Sequence, residues 1–458
     1  MRKSKSKTSL SFLGAAGTVT GSKTLLKHHA HQVMIDAGLF QGFKNLRQLN
    51  WLPLPFDVKK LSAVLLTHAH IDHSGALPLL VRQGYRGPIY TSDATVDVAS
   101  VLLIDSAKLQ GEEADYANRH HTSKHHPAKP LYTLDDVERT LELFEPVPFG
   151  QWQEHAPGMT FKLQYASHIL GAASIRFRLD QDEIVFSGDL GRAEAPILGA
   201  PEPLGNVDFL VLESTYGNRR HPIQDPKIEL AKVIKQTVER GGAVLLPAFA
   251  VGRSQVLLHT IDALIKSGEI PKVPVFLDSP MAVNVTELYK RHYDDHLLAK
   301  KAIKDVFGVA KMVQTVEQSK ALNELKYPRI IISASGMATG GRVLHHLRTL
   351  VSDHRNSIVF AGFQAAGTRG ARMVAGENTI RVFGQDLVIK AEVHSIDGFS
   401  AHADADQLID WVKTATSEPK RIYLNHGEPE AADTLRLRIE RELGIDCLVP
   451  LLGQQISL

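Results

Sequence analysis

Three imidazoles and a carboxylate fall within six consecutive positions, His68-Ala69-His70-Ile71-Asp72-His73, directly behind the apolar run Ser62-Ala63-Val64-Leu65-Leu66. A buried strand that ends in so many donors has to end at a site, and the rest of the fold has to close around it. His68 and His70 are two apart in extended chain and project to one side, while Asp72 and His73 sit where Ile71 to Leu77 turns into a helix. Imidazole suits zinc, copper, iron and nickel, and a carboxylate binds one metal or leans across two, so the mix indicates a mononuclear or dinuclear transition-metal centre. The plain alternative is a chance His cluster on a solvated loop. The apolar run in front argues against it.

With 458 residues the chain exceeds one ordinary core, so two domains, or one carrying a large insertion, is the expectation. Hydrophobic residues at 43%, charged ones at 22% and a net charge of +2 describe a globular protein without the charge excess of a general polyanion binder. A nucleic-acid partner would need a local basic surface. The single Cys447 excludes an internal disulfide and thiolate-rich zinc sites, so metal ligands must be His and Asp. One cysteine also fits a reducing compartment, and the expected location is cytoplasmic. The start, Met1 to Lys7, reads as a basic tail leading into a first strand rather than an export signal, and no run approaches a membrane span.

Alternation and turn residues predict strands at Ser9 to Leu13, Gln32 to Ile35, Ala63 to Leu66, Pro88 to Tyr90, Phe161 to Tyr165, Ser174 to Leu179, Glu183 to Ser187 and Phe209 to Leu212. Helical periodicity covers Ile71 to Gln83, Ala94 to Ala114, Leu134 to Leu143 and about Ala405 to Thr414. The stretch Arg119 to His126 is basic and His-rich, and reads as a solvated loop. From Ile228 the rhythm becomes helix, strand, Gly-rich loop and helix, which implies a parallel sheet. Three of its strand-to-helix junctions carry Arg253 with Ser254, Gly336 with Arg342, and Arg369. Such turns usually serve packing, but beside a hydrolytic metal centre their amides and arginines suit phosphate. None has the Gly-Lys-Ser/Thr ending of a nucleotide loop.

Further donors follow strands elsewhere: His168 in Tyr165-Ala166-Ser167-His168, Asp189 in Ser187-Gly188-Asp189, and His426 in Asn425-His426-Gly427-Glu428. Alone, each is an ordinary turn residue. Together with His68, His70, Asp72 and His73 they supply five imidazoles and two carboxylates, enough to surround two metals and leave a water position open.

The His-x-His-x-Asp-His segment resembles the metallo-beta-lactamase superfamily. Glu213-Ser214-Thr215-Tyr216-Gly217, Ser400-Ala401-His402 and Asn425-His426-Gly427-Glu428 resemble the motifs of its beta-CASP nucleases, the group of the pre-mRNA 3′-end processing endonuclease and ribonuclease J. The resemblance covers nearly the whole chain. It implies an αββα sandwich, formed by residues 1–217 and 396–458, with a beta-CASP cap on a parallel α/β sheet inserted at 218–395. It implies that His68, His70 and His168 bind one zinc, that Asp72, His73 and His426 bind the other, and that Asp189 bridges them; manganese is the alternative metal. Asp36 would orient ligands, and His402, supported by Glu213, would be the general acid, so that the catalytic set is His402, Glu213, Asp72 and Asp36. Histidine at position 426 marks the branch acting on RNA, and the short tail after it leaves no room for the extra domains of ribonuclease J. The implied activity is therefore endoribonuclease hydrolysis of single-stranded RNA, leaving 5′ phosphates and 3′ hydroxyls, with Arg253, Ser254, Gly336, Arg342 and Arg369 on the flanking phosphates. A 5′ to 3′ exoribonuclease, a small-molecule metallo-hydrolase and an inactive scaffold are the competing readings, and a homodimer is left open.

Overall fold

Apolar alternation builds most of the strands, in chain order β1 (Thr8–Phe12), β2 (Thr24–His28), β3 (His31–Ile35), β4 (Ala63–Leu65), β5 (Ile89–Thr91), β6 (Phe144–Pro146), β7 (Gln153–Ala156), β8 (Met159–Tyr165), β9 (Ala173–Leu179), β10 (Asp182–Phe186) and β11 (Phe209–Glu213). There follow β12 (Ala243–Pro247), β13 (Val275–Asp278), β14 (Ala310–Val313), β15 (Arg329–Ser333), β16 (Ser357–Phe360), β17 (Thr379–Val382), β18 (Gln385–Val388) and β19 (Glu392–Ser395). The last three are β20 (Arg421–Asn425), β21 (Cys447–Leu448) and β22 (Gln455–Ser457). The structure, a computed structural model, describes residues 8–365 and 367–458. The basic start at Met1 to Lys7, and Ala366 in the third Gly-rich turn, lie outside the described residues.

The chain divides into two compact units, one running up to Arg220 and resuming at His402–Leu458, the other His221–Ala401. The first unit holds two seven-stranded sheets, ordered β22-β1-β2-β3-β4-β5-β6 and β21-β20-β11-β10-β9-β8-β7. Alternate side chains of both, among them Phe12, Val33, Ile35 and Leu65 from one and Phe161, Phe177, Phe186 and Tyr423 from the other, form a single apolar layer, as face-to-face sheets require. Helices cover the outer faces. Asp93–Arg119 starts at Ser92, whose hydroxyl accepts from Thr95 N, and Leu134–Leu141 at a capping box of Thr133 and Asp136. Pro429–Leu443 packs on β20 and β21.

The second unit is a parallel sheet, β14-β13-β15-β12-β16-β19, with the hairpin β17-β18 apart from it. β12 and β15 are buried along their whole length, the mark of parallel strands covered on both faces. Leu245, Ile331 and Phe360 meet Val343 and Leu347 of the helix Val343–Leu350 there.

Three local expectations change. The helix expected over Ile71 to Gln83 is two, Ile71–Ser74 and Leu77–Arg82, because Ala76 N leaves the helical ladder to donate to Ala37 O at 2.6 Å. The helix expected to stop at Ala114 continues to Arg119, while His120, His121, His125 and His126 beyond it are exposed, as a solvated loop should be. Over the first two hundred residues β2, β6 and β7 are strands that the alternation does not predict. No helix among the described residues is long and apolar enough to cross a membrane.

Candidate metal centre

Within each sheet of the first unit the strands that matter run in one direction. β3 and β4 are parallel; β10, β11 and β20 are parallel; and β8 is antiparallel to β9, which is antiparallel to β10. Their C-terminal ends therefore form one rim per sheet, and every donor singled out above follows such an end. Asp36 follows β3, His68 and His70 follow β4, His168 follows β8, Asp189 follows β10, Glu213 closes β11 and His426 follows β20. Tight turns aim them: Asp36, Ser167 and His426 hold positive φ at 59°, 63° and 51°. His70 precedes the helix Ile71–Ser74, placing Asp72 and His73 in its only full turn.

The donors converge as two sets. His68, His70, His168 and Asp189 form one and Asp72, His73 and His426 the other, each set offering atoms within 4.8 Å of one another. In the first, His70 Nδ1 lies 3.1 Å from His68 Nε2 and 3.2 Å from His168 Nε2. Asp189 Oδ2 stands 3.5 and 3.6 Å from those two Nε2 atoms. In the second, His73 Nε2 is 3.1 Å from His426 Nε2, which is 3.6 Å from Asp72 Oδ2. Asp189 Oδ1 faces this set, 3.3 Å from both His73 Nε2 and His426 Nδ1. A tetrahedral ion with bonds of about 2.0 to 2.1 Å puts its ligand atoms roughly 3.3 Å apart. Ring nitrogens crowded to that spacing repel one another unless a proton or a cation lies between them. The donor set therefore fits a transition cation in each group, with one oxygen of Asp189 directed to each.

Burial and charge prepare the donors. His68, His73, His168, Asp189 and His426 are buried, while His70 and Asp72 are half-buried on the accessible side. Burial pulls the pKa of His68 and His168 well down, helped by neighbouring imidazoles, and pulls His70 down to about 4, so these rings are neutral with lone pairs available. Burial acts the same way on His73, but Asp189 and Asp36 outweigh it and raise the ring. Asp189 itself is held well below the carboxylate range by His426, His73 and His68 against the opposing effect of burial.

The supporting residues are specific. Asp36 Oδ2 accepts from His73 Nδ1 at 2.7 Å, while Asp36 Oδ1 accepts from Thr67 N at 2.8 Å and Thr67 Oγ1 at 2.9 Å. Ser22 Oγ donates to Asp36 Oδ2 at 3.1 Å, and Thr215 Oγ1 lies 3.1 Å from His426 Nδ1. Such contacts set tautomer and ring orientation. The sequence assigns no role to Thr67, Ser22 or Thr215; the signals present are that Thr67 adjoins His68 and that Thr215 lies within Glu213-Ser214-Thr215-Tyr216-Gly217. His168 Nδ1 is buried with no hydrogen-bond partner among the described residues.

His402 is half-buried, its ring 4.4 Å from that of His168, and its Nδ1 lies 3.3 Å from the buried Glu213 carboxylate. Burial works against protonation, and Glu213 overrides it, so the ring sits above its ordinary value. Leu190 N donates to Glu213 Oε1 at 2.6 Å and fixes that carboxylate.

The arginines belong to the second unit. Arg342 spends its guanidinium on Asp278 Oδ1 at 2.8 Å and on the carbonyls of Val313 and Gln314, bracing the strand ends. Arg369 donates to the carbonyls of Arg381, Ala338 and Thr339, and with Arg372 and Arg381 it lines a surface hollow of about 480 Å³. Arg253 lies against Gly362, where a Cβ would come within 2.3 Å of Nη1. Ser254 is buried with its hydroxyl on Phe249 O, and Gly336 O accepts from Gln364 Nε2.

Comparison with known proteins accounts for the pairing of these units. Three family models match: the metallo-beta-lactamase superfamily over residues 17–222, the beta-CASP domain over 254–373, and a Zn-dependent metallo-hydrolase RNA specificity domain over 386–450. The chain is 37% identical to a protein from Thermus thermophilus named ribonuclease TTHA0252, over 97% of this chain and 96% of that one. It is 32% identical to the transcription termination factor FttA of Pyrococcus abyssi, over 96% of this chain and 69% of that one. A crystal structure of a protein of unknown function from Enterococcus faecalis shares the fold at TM-score 0.54 and 14% identity, covering 99% of this chain and 100% of the other.

Proposed function

The chain belongs to the beta-CASP ribonuclease group of the metallo-beta-lactamase superfamily, and on that premise we propose that it is an endoribonuclease that cuts single-stranded RNA at a dinuclear zinc centre. Membership makes it a metallo-hydrolase of the nuclease type. The finer reading is supported by one observation above all: Asp189 offers one oxygen to each of two donor sets whose internal spacings suit a tetrahedral ion. RNA as the substrate is supported by the RNA specificity domain over 386–450 and by the name of the Thermus relative.

In this reading His68, His70 and His168 hold one zinc and Asp72, His73 and His426 the other, with Asp189 shared. When bound, the two ions would lower the pKa of a water towards neutrality and offset the charge that develops on the attacked phosphate. Asp36 keeps a proton on His73 Nδ1, so that Nε2 is the nitrogen that gives up its proton and turns a lone pair to a bound cation. His402 protonates the departing 3′ oxygen through Nε2, because its Nδ1 faces Glu213, and the products carry 5′ phosphate and 3′ hydroxyl ends. Arg253, Gly336, Arg342 and Arg369, in the inserted cap taken as residues 218–395, hold flanking phosphates; Ser254, expected among them, is buried with its hydroxyl on Phe249 O and is left out of the set. Arg342 also pairs with buried Asp278, and Arg369 is braced by the carbonyls of Arg381, Ala338 and Thr339.

The test uses single-stranded RNA labelled at its 5′ end or internally, with wild type and His402→Ala, in zinc or manganese. Internal fragments ending in 3′ hydroxyls, lost with chelator, are expected. Mononucleotides released progressively from the 5′ end would replace this reading by an exonuclease.

A further inference from the structure

The turns of two hairpins in the first unit meet at the strand ends remote from the candidate centre. His28 pairs with His31, so His29 and Ala30 make the turn between β2 and β3; Leu179 pairs with Asp182, so Asp180 and Gln181 make the turn between β9 and β10. His29 and Asp180 both hold positive φ, at 50° and 55°, where glycine would pass without steric cost. The chain places donors there instead, and they converge. His29 Nε2 is 2.9 Å from Asp180 Oδ2, and His28 Nε2 is 3.7 Å from the same oxygen. All three donor atoms lie within 4.8 Å of one another.

Two details suit a cation. Thr8 Oγ1 lies 2.8 Å from His28 Nδ1, which orients that buried ring with Nε2 towards Asp180, the kind of support ligating imidazoles receive. Gly158, in the adjoining turn, leaves room for the carboxylate, since a Cβ there would stand 2.6 Å from Asp180 Oδ1. His29 and Asp180 are exposed, which gives an ion a route in from solvent. The site is separate from the one above: β3 carries the chain five residues from His31 to Ile35 before Asp36, about 16 Å at roughly 3.3 Å per residue.

We propose that His28, His29 and Asp180 form a structural site for a divalent transition cation, tying a hairpin of one sheet to a hairpin of the other. Two imidazoles and a carboxylate select zinc or its neighbours over calcium or magnesium. The site takes no part in the nuclease reading, and stands or falls independently of it.

Zinc is the probe. Full-length protein stripped by chelator is titrated calorimetrically, and its melting temperature is recorded with and without zinc. The variants are Asp180→Asn, which keeps the shape and tolerates positive φ, and His29→Gly, which suits the turn. Each is also made in a His68→Ala background, so that a failed candidate centre is distinguishable from a failed clip. We expect both variants to bind one zinc equivalent fewer than their parent in either background, with unchanged melting temperature in chelator, a smaller zinc-induced rise, and unchanged RNA cleavage. Equal stoichiometry in variant and parent would reduce the cluster to an ion pair between His29 and Asp180 and overturn the proposal.

Discussion

Replacing Asp36 by Asn changes one oxygen of a buried carboxylate to an amide nitrogen and leaves its outline intact, and Asn tolerates the φ of 59° at this position. The two carboxylate oxygens have different duties, so the amide cannot serve both. If its oxygen stays with Thr67 N and Oγ1, the amide nitrogen faces His73 Nδ1 at the 2.7 Å contact. His73 must then accept there and carry its proton on Nε2, which directs a hydrogen, not a lone pair, at His426 Nε2 and Asp189 Oδ1. Loss of such support costs about 10- to 100-fold in metal affinity, or about 1.4 to 2.7 kcal/mol. If the amide flips, the nitrogen confronts the buried Thr67 N–H, and the unpaired donor costs folding about 1 to 3 kcal/mol. One penalty or the other is unavoidable. Competition with a chromophoric chelator measures the stepwise zinc affinities, and denaturant unfolding of metal-free protein measures the second cost. Wild-type values in both assays would refute the assignment of Asp36 as the residue that sets the His73 tautomer.

Glu213→Gln removes the charge facing His402 Nδ1 and should lower kcat about 10- to 100-fold while zinc content and KM hold; an unchanged kcat would remove Glu213 from the catalytic arrangement. Gly38→Ala would put a Cβ 1.5 Å from Asp72 O and 2.7 Å from His73 N, so the purified variant should lose zinc from the second donor set, whereas full zinc content would show that the loop yields. Lys23, buried beneath Phe40 and donating to the carbonyls of Gly21 and Gly38, has its ammonium pulled by burial from 10.5 to about 7. Between those values the unfolded chain binds one proton more than the folded one, so wild-type stability should rise with pH by up to about 1.4 kcal/mol per unit relative to Lys23→Met. A stability difference that is flat from pH 7.5 to 9.5 would contradict this.

What the sequence revealed and what it concealed divide along a physical line. Strand ends with His and Asp beside small residues are legible, because those side chains are costly to bury without a partner and their position after an apolar run announces where they will be used; His68, His73, His168 and Asp189 are all buried where that logic puts them. Hydroxyl supports are not legible, because Ser and Thr are common and nothing in Ser22 or Thr215 distinguishes a residue that orients a carboxylate or an imidazole from one that caps a turn. Strand β2 hid because Lys27 and His28 interrupt its apolar alternation, although both Leu25 and Leu26 are buried. Arg342 shows the deeper difficulty. Its charge at a Gly-rich turn suits phosphate in one dimension, yet the fold brings up Asp278, sixty-four positions earlier and fully buried with His346 and Ser319 around it, which takes the guanidinium first. Asp180 is the converse case, unremarkable in its own turn until a hairpin 151 positions earlier presents His29 to it. Local chemistry thus identifies donors, and only topology decides which of them come together.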